Sequence, residues 1–284
     1  MNIDRVALCF YGQWRTGSIV LPSYVSILSE LQKDVELNVF FSVKPVDHAE
    51  HEIRETIFKT LGKFSNSITI NILVDPQSEH IADKNKSHKT LYGIIDPIIM
   101  KQHYEIRNNV YHDMVILVRP DVFMFDRYIF KNIVNLLRST NDMNVMGVNT
   151  DSILYVAYNP SLDEEFSPLS MMPDQISDHL VVYTGTAADR FCYECCDLLS
   201  MYTGFFGGVP LMHNQVFSLH SIHTLIARRL SINLLPFPRT YSAGLHQFED
   251  IQHSPEESVR FGTVRHDMVD NFYYANHKLF DDKE

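Results

Sequence analysis

Short apolar runs alternate with segments of helical spacing along the first part of the chain. Residues 5–12 (RVALCFYG) form an apolar run closed by Gly12, and residues 36–43 (ELNVFFSV) form a second run. Between them, residues 18–32 carry apolar side chains three and four positions apart, which is the spacing of one helix face. The order strand, helix, strand is therefore predicted.

The alternation continues toward residue 126. The patterns predict helices over residues 50–62 and about 90–109 and a strand over 67–74. A polar loop, 75–89, precedes the long helix. Residues 111–126 (YHDMVILVRPDVFMFD) then predict a further strand, although a cation and a carboxylate interrupt the apolar positions.

The second part of the chain is less regular, and its polar positions cluster in two places. Residues 159–177 are rich in Ser, Pro and Met, and the segment beyond about residue 244 is polar and weakly patterned. The remaining patterns predict helices over 128–140, 187–202 and 214–230, and strands over 144–148, 179–185 and 231–243.

Strands separated by helices of this length require crossover connections. Such connections favour a mostly parallel sheet covered by helices on both faces, so the fold class predicted is α/β. In these sheets ligands collect beyond the carboxyl ends of the strands. Polar side chains that follow predicted strands at that edge are Gln13, Arg15, Lys44, Arg119 and Asp121.

Charge and composition narrow the partners. The 284 residues carry a formal net charge of -11, which opposes binding to nucleic acid and to anionic membranes. No apolar run reaches the ~18 residues of a membrane span, and the first residues do not resemble a signal peptide, so a cytoplasmic protein without a transmembrane segment is expected. The four cysteines are expected to be reduced and packed in the core.

The triplet Arg119-Pro120-Asp121 has two interpretations. Asp121 could hold a divalent metal or a sugar hydroxyl beside a bound diphosphate, with Arg119 neutralising phosphate or orienting Asp121. Alternatively, the two side chains form an ion pair or cap a turn at the strand end. The motifs of P-loop hydrolases, common dinucleotide-binding proteins, zincins and α/β-hydrolases are all missing.

Four segments in order resemble a known group of proteins. They are CFYGQWRTG, VILVRPDVFMFD, DQISDHLVVYTGTAADRF and VPLMHNQVFSLHSIHTLIARRLSINL. They resemble bacterial and viral proteins regarded as nucleotide-sugar glycosyltransferases of the GT-A type. That group has a Gly-Gln-x-Arg loop (Gly12, Gln13 and Arg15 here), an Arg-Pro-Asp strand end, and an Asp before a strand closed by glycine (Asp178 and Gly185 here).

The resemblance implies a single GT-A-like domain over 1–284. Residues 1–126 would bind the donor nucleotide near Tyr11, Gln13 and Arg15, residues 127–245 would hold the acceptor and catalytic groups, and 246–284 would be irregular.

The resemblance also places Asp121 where relatives have an Asp-x-Asp metal site, but the second position here is Phe123. Either His266 or Asp151 completes a Mn²⁺ or Mg²⁺ site with Asp121, or Arg15 and Arg119 neutralise the diphosphate.

Sugar transfer with inversion needs a base that takes the acceptor proton. The candidates are Asp178 and its rival Asp174. The predicted function is transfer of a sugar from a nucleotide-sugar to a glycan, such as a surface or capsular polysaccharide, or to a small molecule. A catalytically degenerate nucleotide- or sugar-binding relative, and another α/β enzyme such as a nucleotidyltransferase, are the alternatives.

Overall fold

The fold is given by a computed structural model, which describes residues 2–45, 48–64, 70–74, 86–124, 127–139, 151–158, 175–204, 219–236 and 261–263. The strands are β1 (Arg5–Gln13), β2 (Glu36–Lys44), β3 (Ile70–Val74), β4 (Met114–Val118), β5 (Val122–Met124), β6 (Ser152–Tyr158), β7 (Gln175–Thr184), β8 (Asn233–Pro236) and β9 (Phe261–Thr263). The helices are α1 (Gly17–Val20), α2 (Tyr24–Leu31), α3 (Glu50–Leu61), α4 (Lys86–Asn108), α5 (Ile129–Ser139), α6 (Gly185–Gly204) and α7 (Leu219–Arg229).

Seven strands form one sheet in the order β3-β2-β1-β4-β7-β6-β8. β1 pairs in parallel with β2 and β4, β2 pairs in parallel with β3, and β6 pairs in parallel with β8. β7 is antiparallel to both of its neighbours, β4 and β6. The predicted α/β class with a mostly parallel sheet flanked by helices is confirmed.

The central strands are buried on both faces, which explains their continuous apolar runs. Successive residues of β1 belong to different core clusters, because strand side chains alternate between faces. Phe10 stacks on Phe41 at 4.5 Å between ring centroids in the first cluster, which also contains α2 and α5 side chains. Tyr11 belongs to the second cluster, with apolar residues of α4, α6 and α7.

The predicted helix over 18–32 is interrupted in the structure. α1 ends at Val20, a 3-10 turn spans Leu21–Ser23, and α2 begins at Tyr24. Pro22 explains the interruption, because its ring fixes φ and its nitrogen has no hydrogen to donate to an α-helical bond.

The strand predicted over 111–126 is two strands. β4 ends at Val118, and β5 begins at Val122 and pairs with β9 in a separate two-stranded sheet. Residues 119–121 turn the chain, so the prediction of one continuous strand is wrong. Val118 and Val122, on the two sides of the turn, are both buried but lie in different sheets. A run of apolar residues cannot show that the sheet changes.

Two strands were not predicted. β6 begins at Ser152 and pairs with β7 and β8, and β9 lies in the segment after residue 244 that is polar and weakly patterned. The strand predicted over 144–148 lies outside the described residues, as does most of the segment predicted to be irregular, 159–174.

A network of buried charges joins α4 to the start of β4 and to α6. Lys101 is 0 % exposed, and its Nζ lies 2.7 Å from Asp189 Oδ1 and 3.0 Å from Glu105 Oε2. Glu105 Oε1 accepts a hydrogen bond from the backbone nitrogen of His112 at 2.7 Å, and it lies 3.0 Å from Nδ1 of the same residue. His112 Nε2 in turn lies 2.8 Å from Asn38 Oδ1. These contacts compensate the cost of burying the charges.

No helix in the described ranges combines the length and the apolar character needed to cross a membrane.

Glu105→Gln is expected to destabilise the protein by about 2 kcal/mol near neutral pH. The substitution removes the buried negative charge that Lys101 and His112 contact. Burial alone would raise the pKa of Glu105, but the hydrogen bond from His112 and the attraction of Lys101 outweigh it and hold the pKa below its ordinary 4.5. The stabilisation is therefore present above pH 4.5 and is lost as pH falls through the lower folded pKa.

Urea unfolding of both proteins at about pH 7 and about pH 3 measures this difference. The difference in unfolding free energy between the two proteins should be smaller at about pH 3 than at about pH 7. An unchanged difference would contradict the role given to the Glu105 carboxylate. Glu50→Gln is the matched control, because Glu50 pairs with Arg54 on the surface and should change stability by less than about 0.5 kcal/mol.

Candidate functional site

The candidate site lies at the carboxyl edge of the parallel strands. Gln13, the last residue of β1, pairs with Lys44, the last residue of β2, and Phe10 pairs with Val118 at the end of β4. The segments that follow these strands therefore leave the sheet at the same edge. This placement agrees with the position predicted for Gln13, Arg15, Lys44, Arg119 and Asp121.

Asp121 is held by a bidentate contact with Arg119. Arg119 Nε donates to Asp121 Oδ1 at 2.9 Å, and Arg119 Nη2 donates to Asp121 Oδ2 at 2.6 Å. The Val122 nitrogen donates to the Arg119 carbonyl at 3.2 Å, which closes the turn. Asp121 is only 1 % exposed. Such paired geometry is the strongest form of arginine–carboxylate contact.

Arg15 reaches the same carboxylate from the loop after β1. Its Nη1 lies 3.5 Å from Asp121 Oδ2, and its Nε donates to Gln13 Oε1 at 2.8 Å. The Arg15 side chain is 47 % exposed, whereas that of Arg119 is 19 % exposed. Two guanidinium groups therefore share one buried carboxylate, and the guanidinium group of Arg15 is the more exposed of the two.

The loop that carries Arg15 has an unusual backbone. Gly12 has φ of 99° and Arg15 has φ of 30°, and positive φ is uncommon for a residue with a side chain. Three contacts fasten the loop: the Trp14 nitrogen donates to the Lys44 carbonyl at 2.8 Å, the Gly17 nitrogen donates to the Trp14 carbonyl, and His48 Nε2 lies 3.3 Å from the Arg15 carbonyl.

Tyr24 supports the Asp121 turn from below, a role that the sequence did not reveal. Its hydroxyl donates to the Val122 carbonyl at 2.8 Å, and its ring packs against Phe10. Burial raises the pKa of Tyr24 well above its ordinary 10.0, and the nearby Asp121 charge raises it further. The sequence pattern shows Tyr24 only as an apolar position of a helix. Val122, whose carbonyl accepts its hydrogen bond, lies 98 residues away in the chain.

Tyr11 and Lys44 differ in accessibility. Tyr11 is 1 % exposed and packs within the second core cluster, while Lys44 is half-buried at the end of β2.

The antiparallel strand β7 brings Asp178 to the same edge. Leu180 pairs with Val118, and Asp178 precedes Leu180 by two residues. The backbone of Asp178 therefore lies near the turn that contains Asp121. β7 begins at Gln175, so Asp178 lies within the strand rather than just before it. Its rival, Asp174, lies outside the described residues.

Asp151 cannot share a ligand with Asp121. Ile153 and Val115 both pair with Tyr183, so Asp151 is level with the start of β4. Each strand residue advances the chain by ~3.3 Å, which puts Asp151 about 20 Å from the opposite edge. Its carboxylate pairs with Arg190. The expectation that Asp151 could complete a metal site with Asp121 is wrong, because β6 runs parallel to β4.

The metal site implied by the resemblance fits poorly with Asp121 as it stands. Both of its carboxylate oxygens accept hydrogen bonds from guanidinium groups. Phe123, at the second position of the motif, pairs with Gly262 in the small sheet. Within the described part of the chain, no group of three or more His, Cys, Asp or Glu side chains could hold a metal ion. His266 lies outside the described residues, three positions after Thr263, the partner of Val122, and its role stays a prediction.

The cysteines are free thiols. Cys9, Cys192 and Cys195 are buried, and Cys196 is exposed. Burial raises the pKa of all four thiols, so the reactive thiolate form is disfavoured.

Comparison with known proteins gives similarities at the level of structure only. No protein-family model matches the sequence, and no curated protein matches it significantly. Among solved structures, one neighbour is a glycosyltransferase involved in the glycosylation of the major capsid of PBCV-1, with 8 % identity and a TM-score of 0.44 over 97 % of this chain and 98 % of that one. A second is the galactosyltransferase LgtC in complex with donor and acceptor sugar analogues, with 9 % identity and a TM-score of 0.49 over 96 % and 95 %.

A third neighbour is mouse xyloside xylosyltransferase 1, with 9 % identity and a TM-score of 0.42 over 94 % of this chain and 99 % of that one. Similarity at this level assigns neither a substrate nor a catalytic residue to this chain.

Asp121→Asn is expected to lower the free energy of unfolding by about 2–4 kcal/mol, because it leaves the largely buried Arg119 without its charged partner. Chemical denaturation near neutral pH measures the loss. Asp34→Asn is the matched control: Asp34 pairs with Lys131 with both side chains about one-third exposed, so its loss should stay below about 1 kcal/mol. Equal losses in the two variants would contradict the structural role of the Arg119–Asp121 pair.

Proposed function

We propose that the protein is a glycosyltransferase that binds a nucleotide-sugar donor at the carboxyl edge of its sheet. The observation that carries the proposal is the convergence of Arg15 and Arg119 on Asp121 at that edge. Two guanidinium groups thus lie together at one edge of the sheet, in a chain whose formal net charge is -11. A diphosphate is the kind of anion that such a site recognises, because guanidinium groups bind phosphate oxygens in bidentate fashion.

The donor-binding residues are proposed to divide their roles by exposure. Arg15 and Arg119 would contact the diphosphate, and Gln13 would orient Arg15 through the hydrogen bond to its Nε. Lys44, at the end of the neighbouring strand, would extend the positive edge. Buried Tyr11 would support the strand end beneath the nucleotide.

The transfer step needs a leaving group that departs and a proton that is accepted. In an inverting reaction, an acceptor hydroxyl oxygen would form a bond to the anomeric carbon as the bond from that carbon to the diphosphate breaks. Arg15 and Arg119 would stabilise the negative charge that develops on the leaving nucleoside diphosphate. Asp178, or its rival Asp174, would take the proton of the acceptor hydroxyl.

A non-catalytic binding protein is the second candidate, and the guanidinium contacts on both oxygens of Asp121 favour it. A carboxylate that already accepts from two guanidinium groups is well suited to hold a binding loop in place, whereas a metal would need one of its oxygens. Such a protein would bind the donor and release no product.

A ligand panel tests the proposal. UDP, GDP, CDP, ADP and CMP and their common sugar conjugates are compared by thermal shift, where a ligand at about 100 times its Kd stabilises by ~2.7 kcal/mol. We expect a selective shift with one nucleoside diphosphate and its sugar conjugate, since the diphosphate supplies the charge. A panel in which no compound shifts the melting temperature would refute a donor site at this edge.

Product analysis then separates the candidate activities. Release of nucleoside diphosphate from the selected donor indicates sugar transfer or donor hydrolysis, and glycosylated acceptor identifies transfer. Release of pyrophosphate would indicate a nucleotidyltransferase instead, and binding without any product would leave the non-catalytic alternative.

Asp178→Asn is expected to lower kcat by about 10²–10⁴-fold, because a positioned base contributes that much. Its donor Kd should change little, since the proposed role concerns the acceptor proton. Asp174→Asn and Asp34→Asn are measured beside it, and a loss of kcat confined to Asp174→Asn would transfer the role to that residue. If kcat falls in neither Asp178→Asn nor Asp174→Asn, neither residue is the base.

A further inference from the structure

We infer that His48 is a positioning residue for Arg15, because it holds the Arg15 backbone in the conformation from which the guanidinium group reaches the carboxyl edge of the sheet. That Arg15 binds the donor rests on the proposed function. That His48 holds Arg15 rests on the contacts between the loop after β1 and the segment after β2.

The first step concerns the position of the two residues. Gln13 and Lys44, the last residues of β1 and β2, are paired, so the segments that follow them leave the sheet side by side. The Trp14 nitrogen donates to the Lys44 carbonyl at 2.8 Å, and His48 Nε2 lies 3.3 Å from the Arg15 carbonyl oxygen. The chain after β1 is therefore joined to the chain at and after the end of β2 at two successive residues.

The second step concerns the direction of the hydrogen bond between His48 and Arg15. A carbonyl oxygen can only accept, so His48 Nε2 must carry the hydrogen and donate it. The neutral tautomer with its hydrogen on Nε2 and the doubly protonated ring both meet this requirement. The contact therefore does not depend on the charge of the ring.

The third step concerns the backbone that this hydrogen bond restrains. Arg15 has φ of 30°, in the left-handed region that residues with a side chain seldom adopt. Such a conformation persists only where surrounding contacts maintain it. A partner for the Arg15 carbonyl is a contact of this kind, because the direction of that carbonyl changes when the residue relaxes.

The fourth step concerns the side chain that the backbone carries. Arg15 Nη1 lies 3.5 Å from Asp121 Oδ2, which is long for a charge-assisted hydrogen bond. The Arg15 side chain is also 47 % exposed, so few side-chain contacts fix the guanidinium group. Its position depends largely on the backbone, and a restrained backbone lowers the entropy lost when a ligand binds.

Three substitutions of His48 separate a positioning role from direct contact with the ligand. His48→Gln keeps an N–H donor at about the position of Nε2, His48→Asn keeps one nearer the position of Nδ1, and His48→Ala keeps neither. UDP, GDP, CDP and ADP are titrated in turn into the unsubstituted protein, and the one with the lowest Kd is used for the variants. All titrations are made well below the melting temperature of each variant.

We expect His48→Ala and His48→Asn to raise this Kd about fivefold, the factor that corresponds to the loss of one neutral hydrogen bond. His48→Gln should restore the Kd to within about twofold of the unsubstituted protein. His51→Ala is the matched control, because it removes the same side chain from an exposed position in the first turn of α3. It should change the Kd by less than about twofold.

Hydrogen exchange of the ligand-free protein measures the same hold without a nucleotide. The amides of Trp14 and Gly17 donate within this region, to the Lys44 and Trp14 carbonyls. Peptides that cover residues 12–18 should exchange about fivefold faster in His48→Ala, because the loop opens more often. In His48→Gln they should exchange at the rate of the unsubstituted protein.

The outcomes decide the inference and the proposed function separately. An equal loss of affinity in His48→Gln and His48→Ala would show that the ring itself contacts the nucleotide, and would overturn the positioning role. Unchanged exchange in His48→Ala would also overturn it. If none of the four nucleotides binds the unsubstituted protein, the proposed function fails, and the exchange rates alone decide whether His48 holds Arg15.

Discussion

The pairing of Arg119 with Asp121 is the interaction on which the candidate site depends. The charge of a carboxylate in a residue that is 1 % exposed must be compensated. Arg119, two residues before Asp121, and Arg15, in the loop after β1, provide the compensating charges. The same turn leads into β5, and the carbonyl of its first residue, Val122, accepts a hydrogen bond from the Tyr24 hydroxyl. The buried charge of Asp121 thus joins the end of β4 to the β1 loop, and the Val122 carbonyl next to it joins the same turn to the first turn of α2.

Charged side chains gather at both edges of the sheet, but with different consequences. At the amino edge, Lys101 and Glu105 are almost fully buried, and their partners hold α4 against β4 and α6. At the carboxyl edge, the Arg15 side chain is half exposed and shares its carboxylate with Arg119. The first arrangement is closed and stabilises the fold, whereas the second presents positive charge to solvent and suits the binding of an anion.

The direction of β7 determines which residues can act together. Because β7 is antiparallel to β4, its beginning rather than its end lies beside the Arg119–Asp121 turn, and the backbone of Asp178 lies there with it. β6 runs the other way, so Asp151 lies at the opposite edge and pairs with Arg190. Two aspartates that look equivalent in the sequence are thus separated by the length of a strand.

The sequence alone determined the α/β class, most of the elements up to α5, and the polar residues that follow β1, β2 and β4. These features depend on local periodicity and on where an apolar run stops, and both can be read from neighbouring residues. Only the tertiary structure decided that residues 111–126 form two strands, that β6 and β9 exist, that Tyr24 holds Val122, and that both oxygens of Asp121 face arginines. Each of these depends on a partner distant in the chain, and the hydrophobic pattern reports that a residue is buried without reporting what it is buried against.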